Sequence, residues 1–470
     1  MAEEMDMAPL KSDGDTEKLS ERLAETDKPM PKQGEKLGDR YENMNPVMAR
    51  GKNIGLTGPW AMAIFGTIFL SIFTLFTVIF NLIVAGQVFL AIMVIPALHS
   101  MLVAIPTAAL VAFVLLISFV FPVSLITPMI IGQRFVTKLA VNVGSAVFGI
   151  TIVMSIFVLP WYIVEIITAP IDLYLSHTMQ HSFPLLISFV AWFSLLSAGT
   201  ITILAFFQGL RAPKVIRLTV GLTDTADATQ AQSIAQAPES ESDQTARSVT
   251  IAHLTDLHCG SIRGSKWLDR VAAQTNALCP DIIAITGDLN DSDYSAFVPV
   301  APTFAKFKPR LPGGLVACSG NHDLMQSPHA WLDRLTEAGV NVLCNEAMQV
   351  GPVNIAGVHD FTGRGDFKTD FKAALGSLDV TRPTILLQHQ PAEVQEGDQN
   401  PSVRLILSGH THNGQIWPFT KVVRLRYKHV HGAYTLPGGT RLVVGAGTGV
   451  WGPPVRVFTS SEIYLITLRW

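Results

Sequence analysis

The sequence predicts an α/β domain in its C-terminal half, preceded by an all-α bundle of transmembrane helices. Two observations predict this division. Residues 59–132 contain no Asp, Glu, Lys or Arg, although 15% of the whole chain is charged. From Ser248 onward, short apolar runs alternate with polar or helical stretches, the pattern of a mixed α/β domain. At 470 residues the chain also exceeds the ~250 to 300 residues at which one core stops growing.

Composition divides the chain into four predicted regions. Residues 1–55 are too polar to bury a core, so we expect a disordered tail. Residues 56–210 are expected to form several membrane-spanning helices. Residues 211–247 are a predicted connector, in which 224–245 form a low-complexity insertion. Residues 248–470 make up the predicted α/β domain.

The apolar region fits four membrane crossings. One crossing needs about 20 apolar residues, and suitable stretches lie near 60–82, 107–131, 142–167 and 184–207. The segment between the first two stretches is either a further crossing or a re-entrant stretch. Five crossings therefore remain an alternative.

Basic residues beside the spans predict their orientation. Lys and Arg favour the cytoplasmic side of a membrane. They precede the first and third spans and follow the last, whereas the loop 169–182 has none. Four crossings thus predict a multi-pass protein of the cell inner (cytoplasmic) membrane, with both termini and the α/β domain in the cytoplasm. Five crossings would place the domain outside.

The overall charge does not favour nucleic acid as a partner. The formal net charge is −3, close to neutral. Proteins that bind nucleic acid usually present an excess of basic residues. We therefore expect the bilayer, rather than DNA or RNA, to be a partner of this chain.

Five apolar runs in the α/β domain each end in residues that can bind metal ions. A single run of this kind is usually an ordinary strand followed by a capped turn. Five such runs in one domain indicate a common site, because strand ends with Gly-containing turns bring side chains from separate strands to one edge of a sheet. The residues at these ends are Asp256, His258, Asp288, Asn321, His389, His410 and His412.

This set predicts two metal ions. Carboxylate oxygens, imidazole nitrogens and one amide oxygen suit Mn, Fe, Zn or Co better than Ca, and we favour Mn or Zn. Seven ligands are too many for one four-coordinate ion, but they fit two ions about 3.5 to 4 Å apart that share a carboxylate. His322 adjoins a ligand and has a pKa suited to acid catalysis, so it is the expected catalytic residue.

The same residues resemble the ordered signature of calcineurin-like metallophosphoesterases. Stretches 408–415 and 444–468 resemble the membrane-associated bacterial subgroup, and the resemblance covers roughly 215–470. The signature motifs are Asp256-Leu-His258, Gly287-Asp288, Gly320-Asn321-His322-Asp323, His389 and Gly409-His410-Thr-His412.

The resemblance implies a four-layer α/β/β/α sandwich with a dinuclear centre. A bridging hydroxide would attack phosphorus, His322 would protonate the leaving oxygen or stabilise the charged transition state, and Asp323 would orient its ring. The resemblance further implies one ion held by Asp256, His258 and His412, a second held by Asn321, His389 and His410, and Asp288 as the bridge.

The predicted function is membrane-anchored hydrolysis of a phosphomonoester, phosphodiester or pyrophosphate, a range that includes lipid-linked substrates. Arg456 is a further expected contact to a phosphate oxygen. The alternative is a catalytically silent membrane scaffold or regulator with the same fold. Loss of activity normally removes ligands, and here all seven are present together with His322.

Two departures from the family pattern qualify the prediction. Asp291 stands where purple acid phosphatases have the tyrosine that holds ferric iron, so redox-active iron of that type is not expected. The insertion at 224–245 interrupts what we predict to be a hairpin between a strand at 215–220 and the first strand of the signature.

Overall fold

A computed structural model describes most of the chain from residue 135 onward. The described residues are 135–178, 183–221 and 247–470 except 292, 326 and 377, together with short helical pieces within 75–124. The predicted tail, the low-complexity insertion and most of the first two predicted spans lie outside the described residues. The number of crossings therefore stays a prediction.

Two long apolar helices, α1 (Phe135–Thr178) and α2 (Phe183–Leu210), precede the α/β domain. Within them, Lys138–Val164 and Val190–Leu210 are long and apolar enough to cross a membrane by length and composition. These stretches coincide with the third and fourth predicted spans. The outer loop, predicted to begin at residue 169, is instead helical as far as Thr178, because Ile, Leu and Tyr side chains extend the apolar sequence.

Six strands form the first sheet. They are β1 (Lys214–Gly221), β2 (Ser248–Leu254), β3 (Ile282–Thr286), β4 (Leu315–Cys318), β5 (Asn341–Val342) and the C-terminal strand β12 (Glu462–Arg469). Their spatial order is β1-β12-β2-β3-β4-β5, so that β12 lies between β1 and β2.

Six further strands form the second sheet, in the order β10-β11-β9-β8-β7-β6. Strands β7, β8, β9 and β11 run parallel to one another, and each edge strand pairs antiparallel to its neighbour. The strands are β6 (Glu346–Val350), β7 (Val353–Gly357), β8 (Thr384–Leu387), β9 (Val403–Ser408), β10 (Gly432–Thr435) and β11 (Arg441–Val444).

The two sheets pack face to face around one apolar core. Ile251 and Ile282 from the first sheet and Ile385 and Leu405 from the second belong to the same fully buried cluster. Helices cover the outer faces, where the described α-helices are α3 (Ser265–Asn276), α4 (Tyr294–Phe297), α5 (Pro328–Glu337), α6 (Phe371–Leu375), α7 (Gln395–Asp398) and α8 (Phe419–Arg426). The predicted four-layer α/β/β/α sandwich is confirmed.

Strand β1 corrects two predictions. Its eight residues pair in parallel with β12, which in turn pairs antiparallel with β2. The first part of the predicted connector therefore belongs to the domain, and β1 and β2 do not form a hairpin. The reason is long-range pairing, since the C-terminal strand separates two strands that are neighbours along the chain.

The domain packs directly against the apolar helices. Only three residues separate the end of α2 from β1. Phe148 and Ala205 share a buried cluster with Val455, and the backbone N–H of Arg456 donates to the carbonyl of Ala205 at 3.0 Å. A side chain on Gly209 would collide with the backbone of Pro454.

Candidate metal centre

The strand-end turns hold polar side chains in unusual backbone conformations. Asp256 and Asp288, which follow β2 and β3, have φ values of 53° and 50°. His258, His410 and His412 also have positive φ, at 45°, 69° and 49°. Non-glycine residues seldom adopt this left-handed region, and such strain clusters at functional sites. The turns therefore aim these side chains towards a common point at the sheet edge.

A first donor group consists of Asp256, His258 and His412, whose ligand atoms all lie within 4.8 Å of one another. The Nε2 atoms of the two histidines are 3.1 Å apart. Nε2 of His412 lies 3.3 Å from Oδ1 of Asp256. All three residues are buried, so water competes little for their lone pairs.

A second donor group consists of Asp288, His389 and His410, again within 4.8 Å, with Asn321 beside it. Oδ1 of Asn321 is 3.2 Å from Nε2 of His389 and 2.9 Å from Nδ1 of His410. The two imidazole nitrogens are themselves 3.3 Å apart. An oxygen and two nitrogens thus converge on one small volume.

Asp288 stands between the two groups. Its Oδ2 atom lies 3.6 Å from Nε2 of His258 in the first group and 3.4 Å from Nε2 of His389 in the second. Oδ1 accepts a hydrogen bond of 2.9 Å from the backbone N–H of His322. The carboxylate is therefore oriented by the loop after β4 and faces both donor groups.

The donor atoms fit metal ions. Metal–ligand bonds of about 2.0 to 2.2 Å place neighbouring ligand atoms around one ion about 3.0 to 3.4 Å apart. The separations of 3.1 Å between His258 and His412 and of 3.2 Å between Asn321 and His389 lie in this range. Mixed nitrogen and oxygen donors suit transition-metal ions.

Sequence comparison identifies the domain. The family model described as calcineurin-like phosphoesterase matches residues 249–414. A relative in Aquifex aeolicus, named an uncharacterized metallophosphoesterase, is 31% identical over 227 residues, which cover 47% of this chain and 85% of the relative. The chain belongs to the calcineurin-like metallophosphoesterase family. The predicted family and the predicted enzyme class, a phosphoester hydrolase, are confirmed for this domain.

Two further relatives, from Danio rerio and Bos taurus, are named as transmembrane proteins. A Danio rerio protein called transmembrane protein with metallophosphoesterase domain is 34% identical over 229 residues, 46% of this chain and 52% of that protein. An uncharacterized metallophosphoesterase of Helicobacter pylori is 31% identical over 265 residues, 56% of this chain and 66% of the relative. The matched part thus spans about half to two thirds of these proteins. Together with the two apolar helices, the names indicate a membrane protein.

Several glycines of the metallophosphoesterase signature allow close approach of the turns. A side chain on Gly320 would meet the backbone N and the carboxylate of Asp288, and one on Gly409 would meet Thr255 and Asp256. Gly287 has a φ of 76° and lies against the ring of His389. The glycines are needed because the donor turns are packed backbone against backbone.

Asp291 contacts the metal centre, although the sequence did not lead us to predict this contact. Its Oδ1 lies 3.2 Å from Nδ1 of His258, so the carboxylate orients the imidazole whose other nitrogen faces the donor group. The carbonyl of Thr286 does the same for Nδ1 of His389 at 2.8 Å. Partners of this kind fix the tautomer of a ligating histidine. The sequence could have indicated this contact, because Asp291 lies three residues after the predicted ligand Asp288.

The electrostatics of the domain match this arrangement. Burial lowers the pKa of His258, but its hydrogen bond to Asp291 and the nearby carboxylates outweigh that effect and raise the pKa. Burial and the charge of His389 lower the pKa of His410 to about 4. Burial acts against ionisation of Asp288, yet the surrounding histidines hold its pKa well below the usual value. The lowered pKa values of Asp288 and His410 favour the ionised carboxylate and the neutral imidazole, which are the forms that bind cations.

His322 lies at the edge of the centre. Its ring packs edge-on against the ring of His258, with centroids 4.9 Å apart, and lies 6.2 Å from the ring of Trp451. Burial lowers the pKa of His322, partly offset by the charge of Asp288. The ring lies outside the two groups described above, although its ligand atom is within 4.8 Å of those of His258 and Asp291.

Asp323 acts differently from the prediction that it orients the ring of His322. Its carboxylate accepts four hydrogen bonds, from the backbone N–H groups of Gly320, Leu289 and Asn290 and from the side chain of Asn290. Burial and the charge of Asp288 raise the pKa of Asp323 to about 7. The residue holds the turns after β3 and β4 together, and so positions His322 through the backbone.

Arg456 is buried, which argues against the predicted contact with substrate. The side chain is 1% exposed. Its Nη2 donates to the carbonyls of Ala446 at 2.7 Å and Gly449 at 2.8 Å, and its Nε donates to Ser461 at 3.1 Å. The guanidinium closes the loop that follows β11, so its donors are used within the protein.

Proposed function

We propose that this domain hydrolyses phosphoester bonds with the help of two divalent metal ions. The observation that carries the proposal is the position of Asp288, whose Oδ2 lies within 3.6 Å of a histidine nitrogen in each donor group. One carboxylate shared by two groups of donors is the arrangement expected of a bridging ligand.

The proposed ligands follow the two donor groups. The mixed nitrogen and oxygen set suits Mn, Fe, Zn or Co, and we favour Mn or Zn. When bound, the ions would lower the pKa of a shared water and neutralise phosphoryl oxygens. Asp256, His258 and His412 would hold one ion, Asn321, His389 and His410 the other, and Asp288 both.

His322 is the proposed proton donor to the leaving oxygen. Its ring lies beside the donor groups rather than within them. Burial lowers its pKa, whereas the negative charge of a bound phosphate would raise it and so favour the protonated ring. Asp323 and Asp291 are proposed positioning residues, one acting on the turn that carries His322 and the other on the ring of His258.

The proposed substrates include phosphomonoesters, phosphodiesters and pyrophosphates, because metal ions held by the donor groups would contact the phosphoryl group that all three share. A lipid-linked ester is part of the proposal, since the domain packs against helices that can cross a bilayer. We further propose a multi-pass protein of the inner membrane with the domain on the cytoplasmic side. Basic residues beside the predicted spans support this orientation.

Metal removal and replacement test the proposal on the full-length protein in detergent. Activity towards an aryl phosphomonoester and an aryl phosphodiester should disappear after chelation and return on addition of Mn or Zn. The alternative, a catalytically silent scaffold or regulator with this fold, predicts metal binding without turnover of either ester. Unaltered hydrolysis by the metal-free protein would refute the proposed centre.

A further inference from the structure

An exposed apolar surface lies beside the metal centre. It consists of Trp417, Phe419, Val422, Leu425 and Phe458, which we call the platform. Val422 and Leu425 are 54% and 88% exposed, and Phe458 is 77% exposed. Helix α8, which carries three of the five residues, has no buried side chain. So many adjoining apolar groups usually mark an interaction surface.

The platform adjoins a helix that can span a membrane. The ring of Trp417 stacks on Phe157 of α1 at a centroid distance of 6.2 Å, and Phe458 lies edge-on to Trp417 at 6.1 Å. Phe157 belongs to the apolar stretch Lys138–Val164. It lies nine residues beyond Phe148, where the domain also contacts α1, a distance of about 13 Å along the helix. The platform therefore contacts the helix that carries the apolar stretch.

Basic residues surround the platform. Lys421, Arg424 and Arg426 are exposed on α8, and the sequence contains no Asp or Glu between Asp398 and Glu462. A helix with exposed apolar and basic side chains is typical of one that lies in the interfacial layer of a bilayer. Its charge complements anionic lipid headgroups.

The platform is joined to the metal centre. A side chain on Gly414 would collide with the backbone of Thr420 in α8, so the helix is packed tightly on the turn that carries His412. Tyr427, directly after α8, has its ring 5.4 Å from that of His410 and donates a hydrogen bond to Gln390. A group held at the platform is thus close to the donor atoms.

We propose that the platform lies in the headgroup layer of the bilayer that holds α1 and α2, and that the centre takes its phosphate ester from a lipid in that layer. The second part rests on the proposed function. A lipid surface is favoured over a segment of the chain outside the described residues because the platform combines contact with a membrane helix and exposed basic side chains on its own helix. The quenching experiment below distinguishes the lipid surface from other occupants of the platform.

Fluorescence quenching tests the position of the platform. Cys279 is the exposed cysteine among the four, all within the described residues, so Cys279→Ser provides a background for labelling. Leu425→Cys carries an environment-sensitive dye, and Val380→Cys is the matched control. Val380 is apolar and 74% exposed, but it precedes β8 and so lies at the end of that strand opposite His389.

The full-length protein is reconstituted in vesicles of phosphatidylcholine and phosphatidylglycerol. We expect doxyl-labelled phosphatidylcholine to quench the dye at position 425 and not at position 380. Equal quenching at the two positions would overturn the proposal. A shielded dye at position 425 that doxyl lipid does not quench would also overturn it, and would assign the platform to another part of the chain.

Substrate preference tests the second part separately. Leu425→Glu should lower the ratio of phosphatidic acid or prenyl pyrophosphate hydrolysis in vesicles to aryl phosphodiester hydrolysis by about tenfold, since a charge would replace a leucine that the proposal places at the bilayer. Val380→Glu should leave that ratio at the wild-type value. An unchanged ratio for Leu425→Glu would overturn lipid delivery. If wild-type protein hydrolyses no ester, the proposed function fails while the quenching result still decides the platform.

Discussion

The histidines of the metal centre depend on groups that hold their second nitrogen. Nδ1 of His258 faces Asp291, and Nδ1 of His389 faces a backbone carbonyl. An imidazole oriented in this way has lost its rotational freedom before an ion binds. Such partners affect metal affinity almost as much as the ligands do.

Replacement of Asp291 is expected to weaken metal binding. Asp291→Ala should lower the apparent affinity for Mn or Zn about 10- to 100-fold, and Asp291→Asn, which can still accept a hydrogen bond, should lower it less. The measurement is activity as a function of free metal concentration. Identical metal dependence in Asp291→Ala and wild type would show that the contact between Asp291 and His258 does not affect metal binding.

Replacement of His322 is expected to act on the leaving group. His322→Asn should lower kcat for an alkyl phosphate ester about 100- to 10,000-fold and should lower it much less for a nitrophenyl ester, whose leaving oxygen needs no proton. Metal content should not change. Equal losses on both esters would exclude proton donation by His322.

At the scale of elements, strand ends and the turns after them build the centre. The runs ending β2, β3, β4, β8 and β9 were predictable from sequence because apolar strands followed by Gly and polar residues form a local pattern. The position of β12 was not, since pairing with β1 and β2 depends on contacts over more than 200 residues. The surroundings of Arg456 could not be predicted for the same reason, because only the folded loop shows which carbonyls it binds.

Close packing of the turns gives a prediction about glycine. Gly320→Ala would force a side chain into Asp288, so this variant should lose most of its bound metal and activity. Gly264→Ala is the control, since a side chain there meets at most one atom, at 4.0 Å. Metal analysis of the two purified variants distinguishes them. Full metal content in Gly320→Ala would contradict the packing argument.

The buried guanidinium gives a prediction about stability. Arg456→Met removes donors from several buried carbonyls, and each unsatisfied group costs about 1 to 3 kcal/mol. The apparent Tm of the protein in detergent should therefore fall by several degrees. A variant with an unchanged Tm and a raised KM would instead support the substrate contact first predicted for Arg456.

At the scale of the whole molecule, the domain and the apolar helices form a continuous structure. Three residues separate the end of α2 from strand β1, and the loop at 453–457 packs on both helices. Sequence patterns indicated the helices and the domain separately. They could not reveal this interface, because contacts such as that between Phe157 and Trp417 join distant parts of the chain.

The orientation of the domain can be read from Cys279, which is exposed while the other three cysteines are buried. An impermeant maleimide should label it in inside-out vesicles and leave it unlabelled in sealed vesicles of the opposite orientation. Cys279→Ser serves as the control for labelling elsewhere. The reverse pattern would place the domain outside and support five crossings.

Metal counting in Asp288→Asn tests whether one carboxylate is shared by two metal ions. Asp379→Asn is the control, because Asp379 is 48% exposed and precedes β8, away from the centre. The wild type and the control should bind two ions per chain, whereas Asp288→Asn should bind fewer and lose about 1,000-fold or more in activity, as expected when a bridging ligand is removed. Two tightly bound ions and near-normal hydrolysis in Asp288→Asn would contradict the account.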